Sequence, residues 1–224
     1  MRHPRQLIPL ITAALLLGSC SGEDGVDGMV EVPLTDMATF EGNTAAGGGA
    51  LFTVRMMDDS PEALLSADVA LSEGTAVPQR MIIRYIPATG KPYTTSAIRL
   101  TGVSHVNQEP PVIDPTEATE LLGLFGADPV ETVSVWRTGT YVNIHMRVQQ
   151  CHDPRTLSLV LVPATVGTAS PEYRLVHALP AGTPPSYMRT AYASYDISDV
   201  WTLPGVSEVR ITMNPGETYT FRRH

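Results

Sequence analysis

Cysteine, histidine and aspartate stand side by side at positions 151–153, and these residue types supply the nucleophile, base and orienting group of cysteine hydrolases. Neighbouring residues of a strand point to opposite faces, so Cys151-His152-Asp153 cannot converge on one substrate atom. We interpret the tripeptide as the turn before Arg155. A hydrolase stays open as the less favoured alternative, and it needs His145 or His177 to reach Cys151 through the fold. The sequence therefore predicts a non-enzymatic protein without catalytic residues.

Metal coordination is a second chemistry that these residue types allow. The four central histidines are scattered and lack the spacing of a ligand set; they are His105, His145, His152 and His177. Asp24 and Asp27 alternate with glycines but fall far short of a calcium-binding loop. We expect no metal site and no cofactor.

A row of polar side chains alternates with apolar ones over residues 141–148. The polar set is Tyr141, Asn143, His145 and Arg147, and the apolar set is Val142, Ile144, Met146 and Val148. This period of two predicts a strand whose apolar set faces a core and whose polar set faces outward. The outward row is a candidate binding face, because tyrosine and arginine are favoured in contacts. A solvated sheet face is the simpler interpretation and the one we favour.

The second cysteine, Cys20, ends a stretch that resembles the signal peptide of bacterial lipoproteins. Basic residues precede an eleven-residue apolar run, Leu7 to Leu17, and Leu17-Gly18-Ser19-Cys20 is similar to a lipobox. A membrane-spanning helix needs about 20 apolar residues, so the run suits a signal peptide better than an anchor. We predict a signal peptide over residues 1–19 and lipidation of Cys20. A plain secretory signal is the alternative.

The residues after Cys20 predict where the lipoprotein is held. Ser21 stands where an aspartate would favour retention in an inner membrane, so an outer membrane is expected. The acidic, glycine-rich tract 23–28 has too little apolar content to fold. We interpret residues 20–35 as a flexible tether that would suit display at the cell surface.

Composition narrows the class of protein. The chain has 224 residues and a formal net charge of −8, and loss of Arg2 and Arg5 with the signal peptide would make it more acidic. Such a charge argues against a nucleic-acid partner, which would require basic patches. With Cys20 lipidated, Cys151 has no intrachain disulfide partner. Nineteen prolines and eighteen glycines among short apolar runs favour an all-β fold with many turns.

The order of elements predicts two β domains. About five short strands over residues 36–107 suit a small barrel or a compact sandwich. A connector follows at 108–127, in which Asp114-Pro115-Thr116-Glu117 is typical of a helix start and Gly126 of its end. Seven strands over residues 128–224 predict an antiparallel β-sandwich.

This order resembles the NigD-like lipoprotein family. Its most specific parts are Asp128-Pro129-Val130 leading to Val135-Trp136, then Tyr141-Val142-Asn143-Ile144, and finally Ala193-Ser194-Tyr195-Asp196-Ile197-Ser198. The resemblance implies an OB-like N-terminal barrel, a helical connector and a C-terminal β-sandwich. It implies no established catalytic residues, and its bacteriocin-associated name suggests an accessory or immunity role by association only.

We therefore expect a non-catalytic outer-membrane lipoprotein with a binding or accessory role. Its expected partners are the membrane, through the lipid on Cys20, and an unidentified protein or glycan ligand. An oligosaccharide- or peptide-binding surface lipoprotein is the alternative. Binding of an oligosaccharide on the barrel would need exposed aromatic side chains, and Phe52 and Tyr85 are more simply predicted to be core residues.

Overall fold

The structure is a computed structural model that describes residues 31–55, 61–91, 96–214 and 216–223. The predicted signal peptide at 1–19, the lipidation site Cys20 and residues 21–30 of the predicted tether lie outside the described residues. Barrel and sandwich belong to one compact unit, Glu31–His224. The predicted domain boundaries within that unit stay predictions.

Five short strands close into a barrel in the N-terminal half. They are β1 (Leu34–Asn43), β2 (Ala50–Val54), β3 (Ala63–Ala67), β4 (Gln79–Pro87) and β5 (Ala97–His105). Their order around the barrel is β1-β2-β3-β5-β4, with β1 paired to β4 to complete the circle. All neighbours are antiparallel except β3 and β5, which are parallel. This five-stranded barrel confirms the OB-like fold predicted for this half.

The interior of the barrel is filled by aromatic and aliphatic side chains. Phe40 and Phe52 pack with ring centroids 5.7 Å apart, and both are at least 98% buried. Tyr85 is 1% exposed and its hydroxyl donates a hydrogen bond to Asp36 Oδ2 at 2.6 Å. The prediction that Phe52 and Tyr85 are core residues is confirmed, so neither ring offers a sugar-stacking surface.

A short helix, α1 (Pro115–Leu122), follows the barrel. Its start is confirmed, because Asp114 Oδ1 accepts hydrogen bonds from the backbone N–H groups of Thr116 and Glu117, both at 3.0 Å. Its predicted end at Gly126 is wrong. The helix is capped at Gly123, whose N–H donates to the carbonyl oxygen of Glu120. Gly126, at φ +95°, lies in the turn beyond.

The segment between barrel and helix is paired to the sandwich. Asn107 forms a parallel bridge with Ala193, and Val112 forms another with Val160. The helix then places Ala118 against Val160 and Val176. The polar, proline-containing connector is thus pinned to the sandwich at both of its ends.

Seven further strands form the two sheets of a sandwich, as predicted. They are β6 (Glu131–Thr138), β7 (Tyr141–Gln150), β8 (Thr156–Leu161), β9 (Glu172–Ala178), β10 (Tyr187–Asp196), β11 (Glu208–Thr212) and β12 (Thr218–Arg222). One sheet has the order β10-β7-β6 and the other β12-β11-β9-β8. The sandwich is antiparallel apart from the parallel pair β9–β11. A 3₁₀ turn at Pro163–Thr165 and a short helix, α2 (Ser198–Trp201), were not predicted.

Strand β7 has the predicted core face and an unexpected outer face. Val142, Ile144, Met146 and Val148 are all 0% exposed and belong to the sandwich core, which confirms the alternation. The interpretation of the opposite face as solvated is wrong at Asn143, which is also 0% exposed. The reason is tertiary, because side chains of the barrel lie over this part of the strand.

Among the described residues, no helix has the length and apolar character needed to cross a membrane.

Replacing Ile144 by alanine should destabilise the protein by about 2–5 kcal/mol, because it opens a cavity in the sandwich core. His145→Ala, on the other face, should cost less than about 1.5 kcal/mol, since mainly its ring contact with Tyr192 is lost. Urea unfolding of both variants measures the difference. Equal losses would show that the two faces of β7 are not distinguished as the structure has them.

Candidate functional site

Arg80, on β4, joins the barrel to the sandwich. Its side chain is 6% exposed and donates hydrogen bonds to three neutral oxygens. Nε donates to Ser194 Oγ at 3.0 Å, Nη1 to Thr39 Oγ1 at 3.0 Å, and Nη2 to Asn143 Oδ1 at 3.1 Å. Two of these acceptors belong to the sandwich and one to the barrel, so the guanidinium bridges the two parts.

The burial of Arg80 follows from its place at the start of the strand. Met81, Ile83 and Tyr85 point into the barrel, so Arg80 and Arg84 must point outward. Arg84 is exposed, as expected of an outward residue. Arg80 is covered because β7 and β10 of the sandwich lie over this end of β4. An outward barrel position has thereby become an interior position of the whole unit.

The buried charge has no carboxylate partner among the described residues. Its guanidinium carbon instead lies 4.7 Å from the ring centroid of Tyr141. Burial lowers the pKa of Arg80 to about 10, an effect that the field of Tyr141 partly offsets. Burial also raises the pKa of the Tyr141 hydroxyl, and Asp196 adds to that rise. At neutral pH the site holds a charged guanidinium beside a neutral phenol.

Further hydrogen bonds tie the acceptors of Arg80 to one another. Ser194 Oγ donates to Asn143 Oδ1 at 2.8 Å, and Asn143 Nδ2 donates to Thr138 Oγ1 at 2.9 Å. The backbone N–H of Arg80 donates to Gln108 Oε1 at 2.7 Å, which brings the connector into the network. A polar network of this kind is rigid, because moving one member leaves another without a partner.

A cleft of about 680 Å³ opens beside this network, and we call it the junction cleft. Its lining comes from the barrel (Thr39, Pro78, Arg80), the connector (Gln108, Pro110, Pro111, Ile113) and the sandwich (Tyr141, Ser194, Asp196, Ser198, Asp199). The buried guanidinium lies against the ring of Tyr141, and three prolines with Ile113 add apolar surface to the lining. The cleft therefore offers both apolar contact and hydrogen bonding to a ligand.

Two exposed carboxylates give the junction cleft its charge. Asp196, at the end of β10, accepts a hydrogen bond from the backbone N–H of Ser198 at 2.9 Å through Oδ1. Asp199 lies in the first turn of α2. These carboxylates are exposed, whereas the opposite charge of Arg80 is buried and already hydrogen-bonded. An incoming ligand therefore meets negative charge first.

The four side chains of the predicted polar row of β7 have different surroundings. Tyr141 lines the junction cleft, and Asn143 lies in the buried network behind it. His145 stacks on Tyr192 with ring centroids 4.4 Å apart, and Arg147 forms an exposed ion pair with Glu131 at 2.6 Å. The row shares one face of the strand, but the described residues do not form one continuous site along it.

Sequence reasoning missed the residues that complete the junction cleft. Arg80 and Ser194 had no signal of their own, because each stands in an ordinary alternating strand. Asp196 is the last residue of β10, a position typical of a solvated polar side chain. Ser194 and Asp196 are neighbours on one face of β10, and only the packing of barrel against sandwich brings Arg80 to them.

The structure places the residues of the hydrolase alternative apart. Cys151 is half-buried, and its Sγ donates to the carbonyl oxygen of Asp153 at 3.1 Å within the turn. His177 is fully buried elsewhere and its Nδ1 lies 3.0 Å from the carbonyl oxygen of Asp128. No hydrogen bond joins Cys151 to an imidazole among the described residues. In the same part of the chain, no group of three or more potential ligand residues could hold a metal ion.

Replacing Arg80 by methionine should destabilise the protein by about 3 kcal/mol, because the buried oxygens of Ser194 and Asn143 and the partly buried oxygen of Thr39 lose a charged donor. The control is Arg84→Met, an exposed arginine on the same barrel face, which should change stability by less than about 0.5 kcal/mol. Urea unfolding measures both values. A similarly small effect at Arg80 would contradict the bridging role of its side chain.

Comparison with known proteins gives fold relatives only. No protein-family model matches the chain, and no curated protein matches it in sequence. A solved structure of a protein of unknown function, DUF1344, from Bacteroides vulgatus is similar with a TM-score of 0.63 and 14% identity. That match covers 86% of this chain and 92% of the other.

Two further solved structures share the fold. A putative toxin-related protein from Parabacteroides distasonis has a TM-score of 0.58 and 13% identity, over 86% of this chain and 94% of that one. A NigD-like immunity protein from Bacteroides caccae has a TM-score of 0.56 and 18% identity, over 84% of this chain and 91% of that one. The resemblance found in the sequence is thus confirmed at the level of architecture: the chain has the barrel-and-sandwich fold of a NigD-like immunity protein.

Proposed function

We propose that the chain is a non-catalytic lipoprotein of the cell envelope that binds a ligand in the junction cleft. The observation that carries this proposal is the cleft itself, whose lining combines the hydrogen-bonded Arg80 and Tyr141 with the exposed carboxylates of Asp196 and Asp199. A preformed cleft that combines an apolar wall with fixed polar groups is typical of a binding site.

The chemistry of the lining favours a peptide ligand over a glycan. Tyr141 is the one aromatic side chain among the described residues that line the cleft, and Arg80 lies over its ring. Little aromatic surface is left for a sugar ring to stack on. Pro110, Pro111 and Ile113 offer apolar contact instead, and the two aspartates suit a ligand that carries an ammonium or guanidinium group.

The location of the protein is proposed from its first residues. The lipobox-like Leu17-Gly18-Ser19-Cys20 and the serine at position 21 support attachment to an outer membrane through lipid on Cys20. A single acyl chain gives marginal attachment, with an association constant of about 10⁴ M⁻¹, whereas two or more make it stable. The acidic tract at 23–28 supports a tether that holds the folded part away from the lipid surface.

An accessory role beside a bacteriocin system is the finer proposal. One fold relative is described as a NigD-like immunity protein and another as a putative toxin-related protein. At 18% and 13% identity these relatives support the fold and carry no role over to this chain. The proposal is tested by deleting the gene and measuring whether the host becomes sensitive to toxins of neighbouring strains.

Replacing Cys20 by alanine should release the protein from the membrane fraction, because lipid attachment then has no acceptor thiol. Metabolic labelling with a fatty acid, followed by fractionation of the cells, measures both the lipid and the location. Cys151→Ala is the matched control and should keep label and location. Label retained by Cys20→Ala would contradict the lipoprotein proposal.

Asp196→Asn combined with Asp199→Asn should abolish function without unfolding the protein. Asparagine keeps the Oδ1 acceptor for the N–H of Ser198 and removes only the negative charge. The variant is introduced into a deletion strain, and its growth in competition with the parent strain is measured.

A matched control removes two exposed carboxylates outside the cleft, through Glu73→Gln and Glu120→Gln. The cleft variant should behave like the deletion and the control like the parent. Full complementation by the cleft variant would show that its charge has no part in the function.

A further inference from the structure

A second cleft lies where the end of β5, the start of β8 and the outer edge of β10 meet. Its volume is about 420 Å³, and its lining includes His105, Asn107, Arg155, Arg189 and Tyr192. We call it the arginine cleft. It shares no lining residue with the junction cleft.

The arginine cleft is positively charged in an acidic protein. Among the described residues its lining contains two arginines and a histidine and no aspartate or glutamate. The whole chain has a formal net charge of −8. Positive side chains concentrated in a concave surface raise the local concentration of anions.

Arg155 and Arg189 also lack the ion pairs that most other arginines of the described residues form. Six arginines of the described chain are paired with glutamates; they are Arg55, Arg99, Arg147, Arg174, Arg210 and Arg222. Neither Arg155 nor Arg189 forms an ion pair with a described residue. Their charges are therefore available to a ligand.

Arg155 is held in position with a donor to spare. Its Nη1 donates to Gln150 Oε1 at 2.9 Å, which fixes the guanidinium plane. Its Nε is buried, so the donor left for a ligand is Nη2, which makes no hydrogen bond with a described residue. A fixed guanidinium with unused N–H groups is suited to a carboxylate, sulfate or phosphate oxygen, because its fork matches their geometry.

The remaining residues shape the cleft. Arg189 is exposed on β10. Tyr192 precedes Ala193, which forms the bridge to Asn107, and its ring stacks on His145. Asn107 Nδ2 is committed to Leu157 O and Tyr195 Oη at 3.2 and 3.3 Å, so this wall is rigid. The charge of Glu109 acts on Tyr195 from the same region, as does that of Arg155, but Glu109 does not line the cleft.

We propose that the arginine cleft binds an oxyanion group of a ligand between Arg155 and Arg189. The group is a carboxylate, a sulfate or a phosphate, which share the planar or tetrahedral oxygens that arginine recognises. The cleft is much larger than one such group, so the complete ligand also contacts Tyr192 and the edge of β10.

The test is calorimetric titration of the full-length chain in a non-ionic detergent, with sodium glucuronate, sodium sulfate and sodium phosphate as separate probes. Sodium chloride is kept at about 0.15 M to screen long-range attraction. At least one probe should bind, and the probe that binds best identifies the oxyanion. Arg189→Gln should weaken that binding about tenfold or more, which is the effect of losing a charged hydrogen bond.

Three further variants make the result decisive. Arg155→Gln together with Arg189→Gln should abolish binding. Arg84→Gln should leave binding unchanged, because Arg84 is exposed, lies outside the cleft and forms no ion pair with a described residue. If Arg155→Gln prevents folding, the effect of Arg189→Gln on anion binding tests the proposal by itself, because Arg189 is exposed and its replacement should not affect folding. The variant Asp196→Asn with Asp199→Asn should bind the anion normally. Its result separates the proposal for the arginine cleft from the proposed function of the junction cleft, so that either can be wrong without the other.

Three outcomes would overturn the proposal. They are absence of binding of all three probes to the unaltered chain, undiminished binding by Arg189→Gln, and equal weakening by Arg84→Gln. The last would show general attraction to positive charge rather than a site.

Discussion

The buried charge of Arg80 is the constraint on which the rest of the structure depends. Removing a guanidinium from water without a carboxylate beside it costs several kcal/mol unless its N–H groups find acceptors. Here three neutral oxygens and the ring of Tyr141 supply the compensation. Because those acceptors come from both β1 of the barrel and β7 and β10 of the sandwich, the compensation exists only when the two parts are docked. The contacts that stabilise the buried charge of Arg80 therefore also hold the barrel and the sandwich in the arrangement that forms the junction cleft.

The sequence predicted the strands and the helix start better than it predicted which parts of the fold cover them. Alternation along β7 correctly identified Val142, Ile144 and Met146 as core residues, and Asp114 with Pro115 correctly identified the start of α1. Such signals are local, since they arise from the period of a strand or the capping of a helix. A period of two identifies one apolar face and leaves open what covers the polar face. Asn143 and Arg80 are both polar residues on outward faces, and each is buried because the other lies over it.

The candidate site was only partly predictable for the same reason. Tyr141 was found because it belongs to the regular polar row, whereas Arg80 reaches Ser194 and Asp196 of β10 only through the packing of barrel against sandwich. The connector gave a misleading signal. Its prolines and polar residues are typical of a linker, yet Asn107 and Val112 each form one bridge to a sandwich strand. Single bridges contribute no periodic pattern, and a helix as short as α2 has too few residues to show one.

The two clefts are separated by one short, firmly held piece of chain. Asn107 lines the arginine cleft, and Gln108, the next residue, lines the junction cleft. Asn107 is held by its bridge to Ala193 and by the bonds of its side chain, while Gln108 accepts the backbone N–H of Arg80 at 2.7 Å. Communication between the clefts through this segment would require breaking several of these hydrogen bonds together. Coupling requires two states that each ligand stabilises differently. A segment hydrogen-bonded on both sides favours a single state, so the same contacts that separate the clefts also keep the shape of each one fixed.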